Sequence, residues 1–294
     1  MKTLKQFLFV LIILSFTTLS FAAKKQTCEI PPSMKELAKD LAGNSALESE
    51  FKKSSPDKIE SLGEAWVLLK ETGYNQKRKD VTSITNVAKL LSNSKLSSSG
   101  LDYEKIKNLI EGNRGQGASE LDKITAALNT LVSSGTKFSN INRLTSDLKK
   151  GGNFGVGARW TLRYIYENTG EFSNKNLKFE ENINGNRRVD LVVKKAGGDL
   201  HYEFKSDRNS PPPRFAEEFV KDLQNVDDLN QIKWIFDRDK VSSLNKQAFL
   251  DKLRDASGQI PQSLINKFAK DDPKSLEGLI DSIDNKFNQI FQVK

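Results

Sequence analysis

Residues 187–205 run Arg187-Arg188-Val189-Asp190-Leu191-Val192-Val193, then Lys194-Lys195-Ala196-Gly197-Gly198-Asp199, then Leu200-His201-Tyr202-Glu203-Phe204-Lys205. Val, Tyr and Phe favour the pleated backbone, and Gly197-Gly198 between two such runs signals a turn, so the stretch predicts a β-hairpin. Side chains alternate faces along a strand. On the first strand Asp190 and Val192 share a face; on the second His201, Glu203 and Lys205 do. Pairing around the glycines brings Asp190 close to Glu203, with Lys205 one step along. Two carboxylates and an ammonium on rigid strands can hold a divalent ion and an attacking water.

An acid-x-Lys tripeptide alone is weak: it recurs at Glu50/Lys52, Asp147/Lys149, Asp272/Lys274 and Asp284/Lys286. Those pairs fall in segments read as helix or loop. Only Glu203/Lys205 follows a strand-borne Asp. The competing reading is an exposed polar strand face carrying a surface ion pair worth about 0–1 kcal/mol.

Working outward, the chain has 294 residues, enough for two domains of ordinary size. Lys2 and Lys5, the apolar run Phe7–Phe16 and the small residues around Ser20-Phe21-Ala22 form a secretory signal peptide over 1–22, directing the chain to the periplasm or outside the cell. One cysteine, Cys28, cannot staple the fold internally. The net charge of +8 is unevenly placed: residues 151–294 hold 23 Lys+Arg against 22 Asp+Glu. Bulk basicity therefore says little about nucleic-acid binding by that half. Local arginines would have to supply phosphate contacts, among them Arg159, Arg163, Arg187, Arg188, Arg208 and Arg214.

Residues 23–150 predict an all-helical domain with no strand pattern. Its strongest helix follows Ser55-Pro56-Asp57, with Ile59, Leu62, Ala65, Trp66, Leu68 and Leu69 at i, i+3, i+4 spacing and Trp66 as a core anchor. Gly151–Gly157 is glycine-rich but lacks a preceding strand and the Lys-Ser/Thr ending of a phosphate loop, so it reads as a link and a close-packed helix entry. From Ala158 the expected order is helix (158–166), strand (177–183), an Asn184-Gly185-Asn186 turn, the hairpin, a stiff Pro211-Pro212-Pro213 loop, a helix through Phe215 and Phe219, a strand at 231–237, and helices including one over 276–291.

That αβββαβ order, with Asp190 on the second strand and Glu203-Phe204-Lys205 on the third, resembles the core of the PD-(D/E)XK nuclease superfamily over roughly residues 155–240. The Pro that names the motif is replaced by Val189. The resemblance implies a restriction-endonuclease-like α/β domain at 151–294, a small mixed sheet flanked by helices, and an α+β chain overall. It further implies that Asp190 and Glu203 ligate Mg²⁺ or Mn²⁺ with help from the Phe204 carbonyl, and that Lys205 orients the water and steadies the phosphate charge. A helix-borne acid often joins such sites. Glu167 is the nearest candidate here, with Glu171 behind it. Arg159, Arg188, Arg208, Arg214 and Gln224 are the candidate substrate-binding residues. The segment Lys53–Leu91 resembles the helical stretch that precedes toxin domains in secreted bacterial polymorphic toxins.

His201 is the single histidine, which removes two-histidine acid–base chemistry and Cys/His zinc sites; it reads as a strand-surface residue. Metal–carboxylate chemistry is the hydrolytic route left open. The expectation is a secreted nuclease acting on nucleic acid, DNA ahead of RNA, as an antibacterial toxin with a cognate immunity protein. The alternatives are a catalytically inactive binding module of the same fold and a helical extracytoplasmic interaction protein.

Overall fold

The computed structural model describes residues 32–114, 118–150, 152–183 and 187–294. The expected signal peptide, Cys28, the 184–186 turn and Gly151 lie outside them. Among the described residues the chain is α+β, with fifteen α-helices and one six-stranded mixed sheet. It divides into two compact units, one of residues through Ser97 with Asp102–Ser133, the other of Ser98–Leu101 with Ser134–Lys294. No helix among the described residues is long and apolar enough to cross a membrane.

The first unit contains α1 (Pro32–Ala42), α2 (Ser45–Lys53), α3 (Pro56–Glu71), α4 (Val81–Leu91), the first half of the short α5 (Leu96–Ser99), α6 (Tyr103–Gly112) and most of α7 (Ala118–Ser134). Pro56 opens α3 where its missing N–H costs nothing. Asp80 caps α4 by accepting from the Thr82 and Ser83 N–H groups. Trp66 is fully buried, as its place on the apolar stripe requires, and its indole N–H donates to Asp40 Oδ2 at 3.1 Å.

The second unit holds β1 (Lys137–Ser139), α8 (Ile141–Lys150), α9 (Gly152–Glu167), the single turn α10 (Thr169–Phe172), β2 (Asn176–Ile183), β3 (Arg187–Lys194) and β4 (Leu200–Lys205). It continues with α11 (Phe215–Leu223), β5 (Ile232–Phe236), α12 (Lys246–Asp255), α13 (Gln262–Phe268), α14 (Leu276–Asn285), α15 (Phe287–Ile290) and β6 (Phe291–Val293). The strands lie in chain order across the sheet. β2, β3 and β4 form an antiparallel meander; β1 joins β2, β5 joins β4 and β6 joins β5, each in parallel.

Two edges differ from the sequence expectation. The division between units falls at 133/134 rather than 150/151, because β1 pairs with β2 and α8 packs beside α9. A three-residue strand is too short to show alternation. Its place depends on Gly100, φ +88°, where a Cβ would stand 2.3 Å from the Phe138 carbonyl oxygen. At the other end, the helix expected over 276–291 breaks after Asn285, and Phe291–Val293 pairs with β5. Phe287, Ile290 and Phe291 all face the apolar core, so their helix-like spacing continued into a strand.

The two faces of the sheet carry different loads. On one, Trp160 and Tyr164 of α9 pack edge-on or tilted against Phe204, while Tyr164 and Phe172 meet Tyr202. On the other, Phe215 and Phe219 of α11 pack against Trp234 and Phe291. By strand alternation Glu203 and Lys205 point away from the α9 face and toward α11.

Candidate active site

Gly197 and Gly198 take φ of +98° and +116°, values a turn demands and glycine supplies cheaply. They set the β3–β4 register: Val193 opposes Leu200, Val192 opposes His201, and Leu191 opposes Tyr202. One further step would place Asp190 opposite Glu203. There the ladder stops. The Phe204 N–H, freed from strand pairing with β3, donates instead to Asp190 Oδ2 at 2.7 Å. A backbone donor in a sheet must find an acceptor, and here a carboxylate provides it. The ends of β3 and β4 part around this bond, and charged side chains occupy the gap.

Glu203 is 2% exposed. Its Oε2 takes Arg187 at 2.7 Å and Lys205 Nζ at 3.2 Å. Its Oε1 is buried with no hydrogen-bond partner. Lys205 Nζ also reaches Glu218 Oε2 on α11 at 2.8 Å and lies 4.3 Å from the centroid of Trp234. Arg187 bridges onward to Asp222, Nε to Oδ1 at 2.7 Å, and the Trp234 indole donates to Asp222 Oδ2 at 2.9 Å. Thus β3, β4 and α11 contribute alternating acids and bases to one buried chain.

Glu180 belongs to the same neighbourhood. Phe179 opposes Leu191 and Glu181 opposes Val189, so Glu180 falls level with Asp190. Its φ of +49° is a strained value for a non-glycine residue within a strand, and the residue is buried. Arg143 donates to its carbonyl at 2.6 Å, and Arg188 Nε lies 2.8 Å from its Oε2. Arg188 also reaches Asp147 Oδ2 at 3.2 Å.

The electrostatics follow from crowding acids in a dry place. Burial, then the Glu203 and Glu180 charges, push the Asp190 carboxyl well above the usual range, against the pull of Lys205 and the Phe204 N–H. Burial, with the neighbouring Asp147 and Glu203 charges, raises Glu180 to about 7 despite Arg188. Burial and Glu203 raise Asp222 to about 7 despite Arg187. Glu218 falls below its usual range: burial raises it, and Lys205 more than offsets that. A carboxyl raised by burial and by neighbouring charges is one whose anion a cation would favour.

The other sequence candidates lie as follows. Glu167 is exposed at the end of α9, the helix that packs on the Phe204 face, away from Glu203. Glu171 accepts from the Tyr164 and Tyr202 hydroxyls on that same face, at 3.1 Å and 2.5 Å. Arg159 is half-buried, its guanidinium 3.1 Å from where a Cβ on Gly155 would stand. Arg163 pairs with Asp237 and Asp239. Arg208 is exposed in the loop after β4, and Arg214, also exposed, pairs with Glu217. Gln224 is exposed at the end of α11. His201 is buried rather than on the surface, with Nδ1 unpartnered, because β5 pairs along its strand.

Sequence reasoning passed over Glu180 and Asp222. Asp222 had a signal: it lies three residues after Phe219 and seven after Phe215, on the apolar stripe of its helix. Glu180 followed the inward residues Leu177 and Phe179 and broke their alternation.

Among the described residues, no three His, Cys, Asp or Glu side chains are grouped so as to hold a metal ion. The acids expected from the sequence to ligate one are the pair Asp190 and Glu203. That pair fits a hard cation chemically: oxygen donors only, one orphaned buried oxygen on Glu203, and an Asp190 anion disfavoured until positive charge arrives. Comparison with protein-family models, curated proteins and solved structures finds no match for the chain.

Proposed function

We propose that this chain is an exported, divalent-metal-dependent nuclease that hydrolyses phosphodiester bonds. The observation that carries the reading is the 2.7 Å bond from the Phe204 N–H to Asp190 Oδ2 where β3 and β4 part, next to Glu203, with Lys205 3.2 Å from Glu203. The αβββαβ order and the antiparallel meander followed by a parallel strand support it too.

Asp190 and Glu203 would hold Mg²⁺ or Mn²⁺, with the Phe204 carbonyl as a further oxygen donor. When bound, the metal supplies a lowered water pKa and neutralises charge built up during in-line attack. Lys205 acts as a fixed positive charge toward the phosphate, anchored by Glu218 and the Trp234 ring. Arg187 holds Glu203 in place through its Oε2 at 2.7 Å. Glu180, level with Asp190, sets how readily Asp190 gives up its proton. Arg188, Arg208 and Arg214 expose guanidinium groups that suit phosphate contacts, and DNA is the first substrate to try. A toxin role, with an immunity protein as partner, rests on the looser likeness of residues 53–91.

The test is incubation of the purified chain with duplex DNA, single-stranded DNA and RNA, with Mg²⁺, Mn²⁺ or EDTA. Cleavage should need metal and should vanish in Asp190→Ala, Glu203→Ala and Lys205→Ala. Metal-independent cleavage, or full activity in the first two variants, would overturn the reading. A non-catalytic binding module is favoured by one observation, the engagement of Glu203 and Lys205 by Arg187 and Glu218. For that module, nucleic acid should bind equally well with and without metal and remain intact.

A further inference from the structure

A second charged feature lies at the opposite end of the same strands. A cavity of about 640 Å³ is lined by Lys137, Lys175, Lys194, Lys195, Asn174 and Asn176, with Gly135 and Ala196. Part of its lining sits on paired strands. Lys137 opposes Asn176 across β1–β2, and Asn176 opposes Lys194 across β2–β3, giving a Lys-Asn-Lys row over three paired strands. The Lys137 N–H donates to the Lys175 carbonyl at 2.9 Å, fixing the fourth position beside the row. Asn174 is held by N–H bonds to Ser134 Oγ and Thr136 Oγ1, each at 3.0 Å.

The charges in this cavity are not balanced from within. Lys194 pairs with Asp199. Among the described residues no carboxylate pairs with Lys137, Lys175 or Lys195. Neighbouring strands lie about 4.8 Å apart, so Lys137 and Lys194, two strands apart with Asn176 between them, stand about 10 Å from each other along the row. The positive field reaches further: Lys233, held below its ordinary range first by burial, is pushed lower by Lys195. Three ammonium groups without a carboxylate partner among the described residues, those of Lys137, Lys175 and Lys195, beside asparagine amides suit an anion with repeating charge and hydrogen-bond acceptors. A single small anion would satisfy only part of the set.

We propose that this lysine-lined cavity binds the phosphodiester backbone of the nucleic acid, at a second contact point separate from the Asp190–Glu203 pair. Lys194 lies four positions along β3 from Asp190, which is about 14 Å in an extended strand. The strand thus carries one end of the substrate-gripping surface and one end of the reacting site. This assignment rests on the nuclease reading for the identity of its ligand.

The test is fluorescence anisotropy of a labelled single-stranded DNA with the full chain in EDTA, titrated at several salt concentrations. The Lys137→Gln/Lys175→Gln/Lys195→Gln variant should bind more weakly. Its slope of log affinity against log salt should be smaller by about 2, at about 0.7 per lost single-strand phosphate contact. Should the triple variant fail to fold, Lys195→Glu alone should still weaken binding. An unchanged affinity and slope in the folded variant overturns the assignment. So does equal competition by polyglutamate of matched charge, which would mark the cavity as a surface for acidic protein. Cleavage by the wild type with Mn²⁺ is scored separately. A wild type that binds through these lysines and cuts nothing supports the cavity and sinks the nuclease reading.

Discussion

The Phe204 N–H donates to Asp190 Oδ2 at 2.7 Å, at the point where β3 and β4 cease to pair. This bond does two things. It satisfies a backbone donor stranded by the parting strands, and it turns one carboxylate oxygen of Asp190 away from solvent while the charge stays close to Glu203. The site therefore stores unfavourable charge, and several measurable consequences follow from that.

Asp190→Asn should melt higher than the wild type at pH 8 while losing all cleavage. The amide oxygen can still accept from Phe204, and the repulsion from Glu203 and Glu180 disappears. The folded pKa of Asp190 lies above its unfolded one, so its charge costs stability at pH values above the ordinary aspartate range. The gain should be about 1–3 kcal/mol at pH 8 and should fade as pH falls toward about 4. Thermal melts across that range check it; a variant that melts lower at pH 8 refutes the strain. Stabilisation with loss of activity is the usual mark of a working site.

Arg187→Ala should be severely destabilising. Its guanidinium holds Glu203 Oε2 and Asp222 Oδ1, each at 2.7 Å, and both acids are buried. Removing one partner of a buried pair leaves bare charge behind, at a cost of about 3–5 kcal/mol. Asp222→Asn in the same chain should recover part of the loss, since it removes one of the two stranded charges. Urea titration of the single and double variants measures both; a single variant within about 0.5 kcal/mol of wild type would show that Arg187 carries no such burden.

The hairpin was legible because strand alternation, the Gly197-Gly198 turn and flanking loops all agree on one register. Glu203 and Lys205 follow from it directly. Asp222 was harder to read, since helical periodicity counts an acid on an apolar stripe as a break rather than as a buried partner. Glu180 depends on a backbone value, φ +49°, that no side-chain pattern announces. The start of α9 was hidden by glycines, which read as linker. One of them, Gly155, lies against Asp147 and Arg159, where a Cβ would stand only 3.1–3.5 Å from its neighbours. Pairings between distant segments, such as β1 with β2, leave no local trace at all.

Stability in EDTA should fall as pH rises from about 5 to 7.5. Glu180 and Asp222 both titrate near 7 when folded and near 4 when unfolded. Between those values the folded state holds protons the unfolded state has released, so raising pH favours unfolding. His201 works the other way: burial lowers its pKa, so its contribution rises with pH. The carboxylates outnumber it. Glu180→Gln should flatten the fall, and Mg²⁺ or Mn²⁺ should lessen it by replacing protons with metal. Melting temperatures in EDTA that climb steadily over this range would contradict the carboxylate crowding.

Trp66→Ala should lower stability by about 3–5 kcal/mol, the range for truncating a large buried aromatic. The ring is fully buried, its N–H donates to Asp40, and the Arg78 guanidinium lies 5.1 Å from its centroid. Packing should dominate over the polar contact, because Asp40 keeps Arg78 Nε at 2.9 Å when the indole is lost. Trp66→Phe therefore separates the two contributions. It retains most of the apolar volume and removes only the hydrogen bond, for which about 1 kcal/mol is typical. If Phe costs as much as Ala in denaturant titrations, the indole N–H and not the buried ring anchors this helical unit.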